Sequence, residues 1–414
     1  MISAPRNKRI ALQRIDQFVG RTTNWLYDHL LHVPRHTPVV LCDILANRDE
    51  FPLLEARCLN RQSVTRRAWR RVVGGRPYPR DVWLGRQLAP GVLHSHFGYV
   101  GVDDLSFHGA LNVPWIVSFY GADVYQRAPW QASYDQVFER TTAVLALGPA
   151  MAASLARLGC RPDKIVVHPL GVDADTLPSR PRVLEPGESL RVLFAGTFRE
   201  KKGIQYVVEG AALARRAGVR LELHLVGDTL GKPGDQETKD QVFRNLRSRG
   251  LDDVATHHSF LSFEALLELA LRSHVFVAPS VTAADGDAEG TPFVLQQMMA
   301  TGMPAIATHH SDIPYLFGDH AHLLIPERDA AAIAERLERY AADPRRLIDD
   351  GALLRDRVRR SLDVRACASH LSDVYDAACE AAASRQPLRV GPNFEAFVAG
   401  HHGMTEADCA RGVR

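Results

Sequence analysis

PSVTAADGDAEGTPFVLQQMMATGMPAIAT, Pro279 to Thr308, reads as the end of a strand, an acidic glycine-bearing loop, a helix and a further strand. The apolar runs Val275–Ala278 and Ala305–Thr308 are short and bounded by turn residues, as strands of a buried parallel sheet are. Between them Thr291 suits an N-cap and Pro292 the first helical position, where a missing N–H costs nothing. The amides that follow are then free at the positive end of a helix dipole, an arrangement that binds phosphate. Ligands of open parallel sheets collect at the carboxyl ends of strands. Glu289 lies in such a loop, placed to accept hydrogen bonds from sugar hydroxyls. The competing account of Glu289 is an acidic residue near a helix start for dipole reasons alone.

The same alternation extends outward in both directions. Upstream, Arg191–Ala195 and Arg220–Val226 read as strands, with helices over Ile204–Ala217, Asp235 to Arg249, and Phe263–Arg272 capped by Ser262. Helices near 329–342, 344–361 and 363–384 follow. In the first half the candidate strands are Val39–Cys42, Val92–His96, Trp115–Phe119, Ala143–Leu147 and Ile165–His168. Leu177 to Ser189 carries Pro178, Pro181, Pro186 and Gly187 and reads as a linker. The expected organisation is α/β, with an acceptor domain over 1–185, a donor domain over 186–362, a helix over 363–384 crossing back to the first domain, and a tail over 385–414.

The central stretch resembles the retaining glycosyltransferases of family 4, whose signature here is E-G-x-P with a second Glu eight residues after the first. Glu289, Gly290, Pro292, Gly302 and Pro304 match, as does His310-Ser311-Asp312-Ile313-Pro314. The resemblance implies a GT-B fold, two Rossmann-like domains facing a central cleft. It implies that Glu289 binds the donor hexose and that Gly290, Thr291, Phe293 and Val294 line the donor site. The ribose position is Gln297 here, which keeps an acceptor and two donors but loses the charge-assisted bond. The family's diphosphate clamp, G-R-x-x-x-x-K-G, falls on Gly196 to Gly203. Lys202 matches the lysine and Thr197 the arginine position, with Arg199 two residues on as its substitute. Positive charge is wanted there because negative charge builds on the leaving diphosphate. The alternative for this run is a solvated charged segment.

In the first half, His94-Ser95-His96-Phe97-Gly98 resembles the family's H-x-H-F-G, and Ser118 to Val124 its F-H-G-x-D, with Tyr120 at the histidine position and Asp123 at the aspartate. His96, Tyr120 and Asp123 are the expected acceptor-side residues. A satisfied strand-end histidine is the plain alternative for His96. Pro169 to Asp173 matches the family's N-G-V-D turn. Thr22-Thr23-Asn24-Trp25-Leu26-Tyr27 resembles the start of polysaccharide-assembly members.

A net charge of +2 gives no overall pull toward nucleic acid. Locally, Arg57 to Arg86 holds nine arginines against one acid, Asp81. Arg66, Arg67, Arg70 and Arg71 are spaced as one helix face, either a solvated stripe or a surface for anionic lipid heads or a lipid-diphosphate acceptor. Six scattered cysteines form no CxxC, and no apolar leader is seen, so a reducing cytoplasm is expected, at the inner face of the membrane. The longest apolar stretch, Ala143 to Ala156, is too short to span a bilayer. Asp285-Gly286-Asp287 resembles a metal-binding D-x-D pair, but ahead of E-G-T-P it reads as a flexible solvated loop. No metal and no cofactor are expected.

The expected reaction moves a hexose from a UDP- or GDP-sugar to a hydroxyl of a glycan or lipid-linked glycan, with retention. The rivals are a degenerate relative that binds a glycan or partner enzyme without transfer, motivated by Thr197, Gln297 and Tyr120, and a two-domain nucleotide-sugar epimerase.

Overall fold

The computed structural model describes residues 8–20, 25–52, 54–59, 64–74, 76–232 and 234–390. Thr22 to Asn24 and the tail beyond 390 lie outside the described residues, as do the side chains of Arg66, Arg67 and Arg70. The strands are β1 (Arg9–Phe18), β2 (His36–Leu45), β3 (Glu55–Cys58), β4 (Val92–His96), β5 (Trp115–Ser118), β6 (Ala143–Ala146), β7 (Ile165–Val167), β8 (Leu190–Ala195), β9 (Leu221–Val226), β10 (Ala255–His258), β11 (Val275–Ala278) and β12 (Ala305–Ala307). They form two all-parallel sheets with strand orders β3-β2-β1-β4-β5-β6-β7 and β10-β9-β8-β11-β12.

Three strands escape the sequence reading. β1 is the most instructive, because it lies at the centre of its sheet yet carries Gln13 and Arg14 in its middle, both fully buried. The Arg14 guanidinium is held by Asp104 at 3.2 Å. Asp104 also accepts from Ser95 Oγ at 2.9 Å, and Ser95 from the Trp115 indole at 3.0 Å. A buried charge with a carboxylate partner of its own is tolerated, but in the sequence it interrupts the apolar run that marks a buried strand. β3 (Glu55–Cys58) and β10 (Ala255–His258) are edge strands with little apolar content.

Contacts divide the chain at Gly171/Val172 and again at Asp363/Val364, earlier than the boundary at 185/186 read from the proline-rich stretch. That stretch packs onto the second unit instead of linking. Arg182 is buried there and donates to Thr301 Oγ1 at 2.9 Å and Thr301 O at 3.2 Å. The helix Val364–Ser384 packs with the first unit, where Asp373 and Asp376 pair with Arg35.

The interior of the first unit is crowded with imidazoles. His94 bonds Tyr375 OH through Nδ1 at 2.8 Å and Ser118 Oγ through Nε2 at 2.7 Å. His168 bonds His29 at 3.1 Å and His370 at 2.9 Å. With few water contacts, burial holds these rings neutral: His94 is pushed down to about 3 and His29 to about 4, while His96 and His168 fall well below the usual histidine range.

In each sheet the order reverses once, between β1 and β4 in the first and between β8 and β11 in the second. These are the switch points where chain loops part and a ligand crevice opens. Two glycines let backbone segments meet beside the end of β8, Gly203 at the second switch point and Gly227 on the β9 side. Gly203 has φ +66°, and a Cβ there would stand 1.9 Å from Pro279 O. A Cβ on Gly227 would stand 2.0 Å from Gly196 O.

Two outcomes follow from these packings. Gly203→Ala combines left-handed strain with a backbone clash and should cost about 2 kcal/mol or more in urea unfolding; a cost below a few tenths would mean that the loops do not approach so closely. The neutral histidines make stability pH-dependent. Each takes up a proton on unfolding below about pH 6.5, so the fold loses stability as pH falls from there toward the depressed native values. At pH 5.5 the loss is about 1 kcal/mol for each of His29 and His94. Urea midpoints that stay flat between pH 7.5 and 5.5 would show these rings to be solvated.

Candidate functional site

The loops after β8 and β11 carry nearly all the charged residues singled out in the second half, and the fold brings them together. The backbone stitches the loops first: Val281 donates to Lys201 O at 2.9 Å, and Ala284 to Glu200 Oε2 at 3.1 Å. Side chains then form one ion-pair chain. Arg199 reaches Asp235 at 3.4 Å and Asp287 at 3.1 Å. Lys201 reaches Asp287 at 3.1 Å and Glu289 Oε1 at 3.2 Å. Lys202 reaches Glu289 Oε2 at 2.9 Å, its stem lying beside Gly196.

Glu289 is the buried member on which both lysines converge, at 8% exposure. Burial alone would raise its pKa, but Lys201 and Lys202 more than offset this and hold the carboxyl far below its usual range. Lys201 is likewise raised: burial acts against its charge, and Glu289 and Asp287 outweigh it. Lys202 donates a hydrogen bond to Oε2, whereas Lys201 attracts Oε1 off the hydrogen-bond direction. Oε1 is therefore a buried, ionised oxygen that accepts no hydrogen bond. Buried polar atoms are rarely left so, and the exceptions need a reason. Thr291 Oγ1, two residues on, is in the same condition.

The loop is also held from behind. The Glu289 amide donates to His310 Nε2 at 3.0 Å, which makes that nitrogen the acceptor and places the ring proton on Nδ1. Nδ1–H then donates to Glu327 Oε1 at 2.6 Å, and Glu327 Oε2 accepts from the Thr282 amide at 3.0 Å. Burial raises the Glu327 pKa, but the bond from His310 outweighs it and the net shift is downward. A neutral, tautomer-fixed imidazole thus sets the backbone at Glu289.

Several expectations change in detail. The helix Phe293–Ala300 starts one residue later than read, with Pro292 as N-cap, and the Thr291 side chain caps nothing. The first amides, of Phe293 and Val294, are the ones without intrahelical acceptors. Both side chains pack toward the core beneath the loop. Gly290 is buried in the turn ahead of the helix, and Gln297 is half-buried on it. In Asp285-Gly286-Asp287, Asp285 is exposed as a solvated loop would have it, but Asp287 is buried against Arg199 and Lys201. Arg199, expected to substitute for the missing arginine, is committed to two carboxylates. The sequence reading passed over Lys201, Asp235 and Glu327. Lys201 was visible beside Lys202, but nothing in the sequence marked Glu327 as the partner of His310.

In the first unit, His96 is buried with both ring nitrogens engaged, by Tyr120 OH at 2.7 Å and Gln13 Oε1 at 2.9 Å. Asp123 accepts from the amides of Gly98 at 2.8 Å, Tyr120 at 3.0 Å and Gly121 at 2.9 Å. It fixes the loop after β5 to the start of the helix Gly98–Leu111. Gly98 is required there, since a Cβ would stand 2.2 Å from the Phe119 ring. These residues build the carboxyl end of the sheet, with Tyr120 half-buried at its edge. Of the arginine stripe, Arg71 is exposed on the helix Val64–Val73. Among the described residues no helix is long and apolar enough to cross a membrane.

Comparison with known proteins agrees with this geometry. Residues 176–353 match the family model "Glycosyl transferases group 1", and residues 32–176 match "Glycosyltransferase Family 4". WcaL of Escherichia coli (strain K12), named as a candidate glycosyltransferase of colanic acid biosynthesis, is 31% identical over 64% of this chain and 62% of its own length. AmsK of Erwinia amylovora, an amylovoran biosynthesis glycosyltransferase, is 28% identical over 64% of this chain and 62% of its own. The matches thus span less than two thirds of these relatives. Among solved structures, Anabaena Alr3699/HepE in complex with UDP-glucose superposes with a TM-score of 0.71 at 13% identity, covering 89% of this chain and 100% of that one. A glycosyltransferase from Rickettsia africae superposes at 0.69 with 14% identity, covering 90% and 99%. The fold is GT-B, and the chain belongs to the family 4, group 1 glycosyltransferases.

Proposed function

We propose that this chain is a retaining glycosyltransferase that moves a hexose from a UDP- or GDP-sugar to a hydroxyl of a glycan or lipid-linked glycan in polysaccharide biosynthesis. The observation that carries this reading is Glu289 Oε1: an ionised, buried oxygen without a hydrogen-bond donor, ahead of a helix N-terminus and beside two lysines. A sugar hydroxyl supplies the donor that oxygen lacks. Lys202 and the first amides of the helix Phe293–Ala300 then face the diphosphate, and Gln297 the ribose.

In the reaction the bond between the anomeric carbon and the diphosphate oxygen breaks, and the acceptor oxygen bonds to the same face of that carbon. The acceptor proton passes to the departing diphosphate. Catalysis of this kind is positioning and charge stabilisation. Retention rests on the family alone, since among the described residues we find no pair of carboxylates suited to a covalent intermediate. The names of WcaL and AmsK support polysaccharide assembly, and the UDP-glucose complex of Alr3699/HepE supports a uridine or similar donor. We assign donor binding to residues 186–362 and acceptor binding to 1–185, with His96, Tyr120 and Asp123 shaping the acceptor side. Contact of the Arg57–Arg86 region with a membrane surface is part of the same proposal.

One observation favours the rival of a binding protein without transfer. Arg199 is tied to Asp235 and Asp287, and Thr197 brings no charge, so the diphosphate is left with fewer cations than the family pattern provides. Nucleotide binding separates the readings. A transferase is stabilised by UDP or GDP through mass action, by about 2.7 kcal/mol at a hundred times Kd. No shift in melting temperature with either nucleotide would favour the rival. Glu289→Ala should leave the fold intact and lower transfer by about 100-fold or more; unchanged turnover would remove Glu289 from the site. Gln297→Glu should keep or tighten donor binding, and its loss would count against the ribose role.

A further inference from the structure

Two lysines share one carboxylate at this site, and their surroundings differ. Lys201 has three oxygen contacts: Asp287 Oδ1 at 3.1 Å, Ala288 O at 3.2 Å and Glu289 Oε1 at 3.2 Å. Asp287 is itself fixed from its other side by Arg199. The Lys201 backbone is pinned as well, through the bond from Val281 N. Lys202 has one carboxylate contact among the described residues, Glu289 Oε2, and its side chain is the more exposed of the two. Its stem runs beside Gly196, so nothing but the single ion pair fixes its end.

A diphosphate competes with Glu289 for any ammonium that is free to turn. Lys202 meets that condition and Lys201 does not. If Lys202 leaves Glu289, a carboxylate at 8% exposure must keep its charge by another route, because an unpaired buried carboxylate takes up a proton. A protonated Glu289 would donate where it should accept. His310 also faces Glu289 but is engaged by the Glu289 amide and by Glu327, so the remaining route is Lys201, and its approach off the hydrogen-bond direction leaves Oε1 open to a hydroxyl while still supplying the charge.

We propose that Lys201 is a positioning residue: it holds the Glu289 carboxylate ionised and facing the sugar while Lys202 turns to the diphosphate. This rests on the donor-site reading above. The two lysines then have separate tasks, one for the sugar and one for the leaving group, although they are neighbours in sequence and touch the same side chain.

The test uses the full chain and isothermal titration with UDP, GDP, UDP-glucose, UDP-galactose and GDP-mannose. Lys202→Met should weaken binding of the bare nucleotide diphosphate about tenfold or more. Lys201→Met should leave that affinity within about twofold but abolish the added affinity of the sugar, as Glu289→Gln does. Lys201→Arg should restore part of it. In Lys201→Met the sugar increment should return as pH rises from 5.5 to 8, because Glu289 ionises again, while the wild type stays flat. Weakening of bare nucleotide as severe as in Lys202→Met would overturn the proposal, as would a wild-type sugar increment and pH profile in Lys201→Met. A second arm needs no ligand. Lys201→Met should lower the melting temperature by about 5 °C or more, with partial recovery when Glu289→Gln is added, and Lys202→Met should do far less. Equal effects of the two lysines, or no recovery, would overturn the proposal even if the wild type bound no nucleotide, a result that would separately sink the donor-site reading.

Discussion

Glu289 is a carboxylate placed where carboxylates do not stay charged unaided. Burying it costs several kcal/mol, and only close cations with further anchoring make the ionised form stable. Most other features of the second unit's upper face follow from meeting that requirement. The loop after β8 must deliver two lysines, so it turns tightly at Gly203 against Pro279. Lys201 needs a counter-charge of its own, so Asp287 is drawn into the interior. Asp287 would then face the same problem as Glu289, and Arg199 with Asp235 completes the chain. His310 and Glu327 set the backbone, so that the carboxylate is aimed as well as charged.

This chain of dependence has a place in the fold because the sheet order reverses between β8 and β11. Only there do two neighbouring parallel strands send their connections to opposite faces, leaving loop ends side by side over the sheet. The first unit uses the same device between β1 and β4, with a different chemistry. Its carboxyl end is built from neutral rings and hydroxyls, His94, His96, Tyr120 and Tyr375 with Gln13, bonded to one another. The carboxyl end of one sheet is built around buried charge, and that of the other around a buried, mostly neutral hydrogen-bonded cluster beside Asp123.

How much of this could be read from the sequence depended on whether a residue's partner was near in the chain. Strands with unbroken apolar runs, such as β11, and helices with visible caps, such as Phe263–Arg272 behind Ser262, were legible because their signals are local. β1 was not, since its buried Gln13 and Arg14 make sense only beside Tyr375 and Asp104, far along the chain. The site divides in the same way. Glu289 and Lys202 stood out because they fall on motif positions of the family that the sequence resembles. That Arg199 is tied up by Asp235, that Asp287 is buried, and that Glu327 orients His310 are facts of tertiary pairing, on which local composition is silent. Reading Asp285-Gly286-Asp287 as a solvated loop holds for the exposed Asp285 and fails at Asp287 for this reason: an acidic residue without its cations looks like surface.

The charges of the cluster also set a limit on how the donor is held. Asp235, Asp287 and Glu289 pair with Arg199, Lys201 and Lys202, and Lys232 is close enough to act on Arg199, Lys201, Asp235 and Asp287 as a further cation. On the donor-site reading, a diphosphate arriving there draws on that cation and on what rearrangement of the pairs releases. Releasing Arg199 would leave the buried Asp235 without its ion-pair partner, and releasing Lys201 would break three oxygen contacts at once. Lys202 exposes only Glu289, which Lys201 continues to neutralise. The least costly rearrangement is therefore the one that frees a single lysine and leaves every buried carboxylate with a cation. On the proposed donor site, further attraction is supplied by the backbone amides at the start of Phe293–Ala300, whose partial charge needs no partner to be displaced. On the same reading, with Thr197 contributing no charge, the helix start takes a larger share of the phosphate than in a clamp with the family arginine.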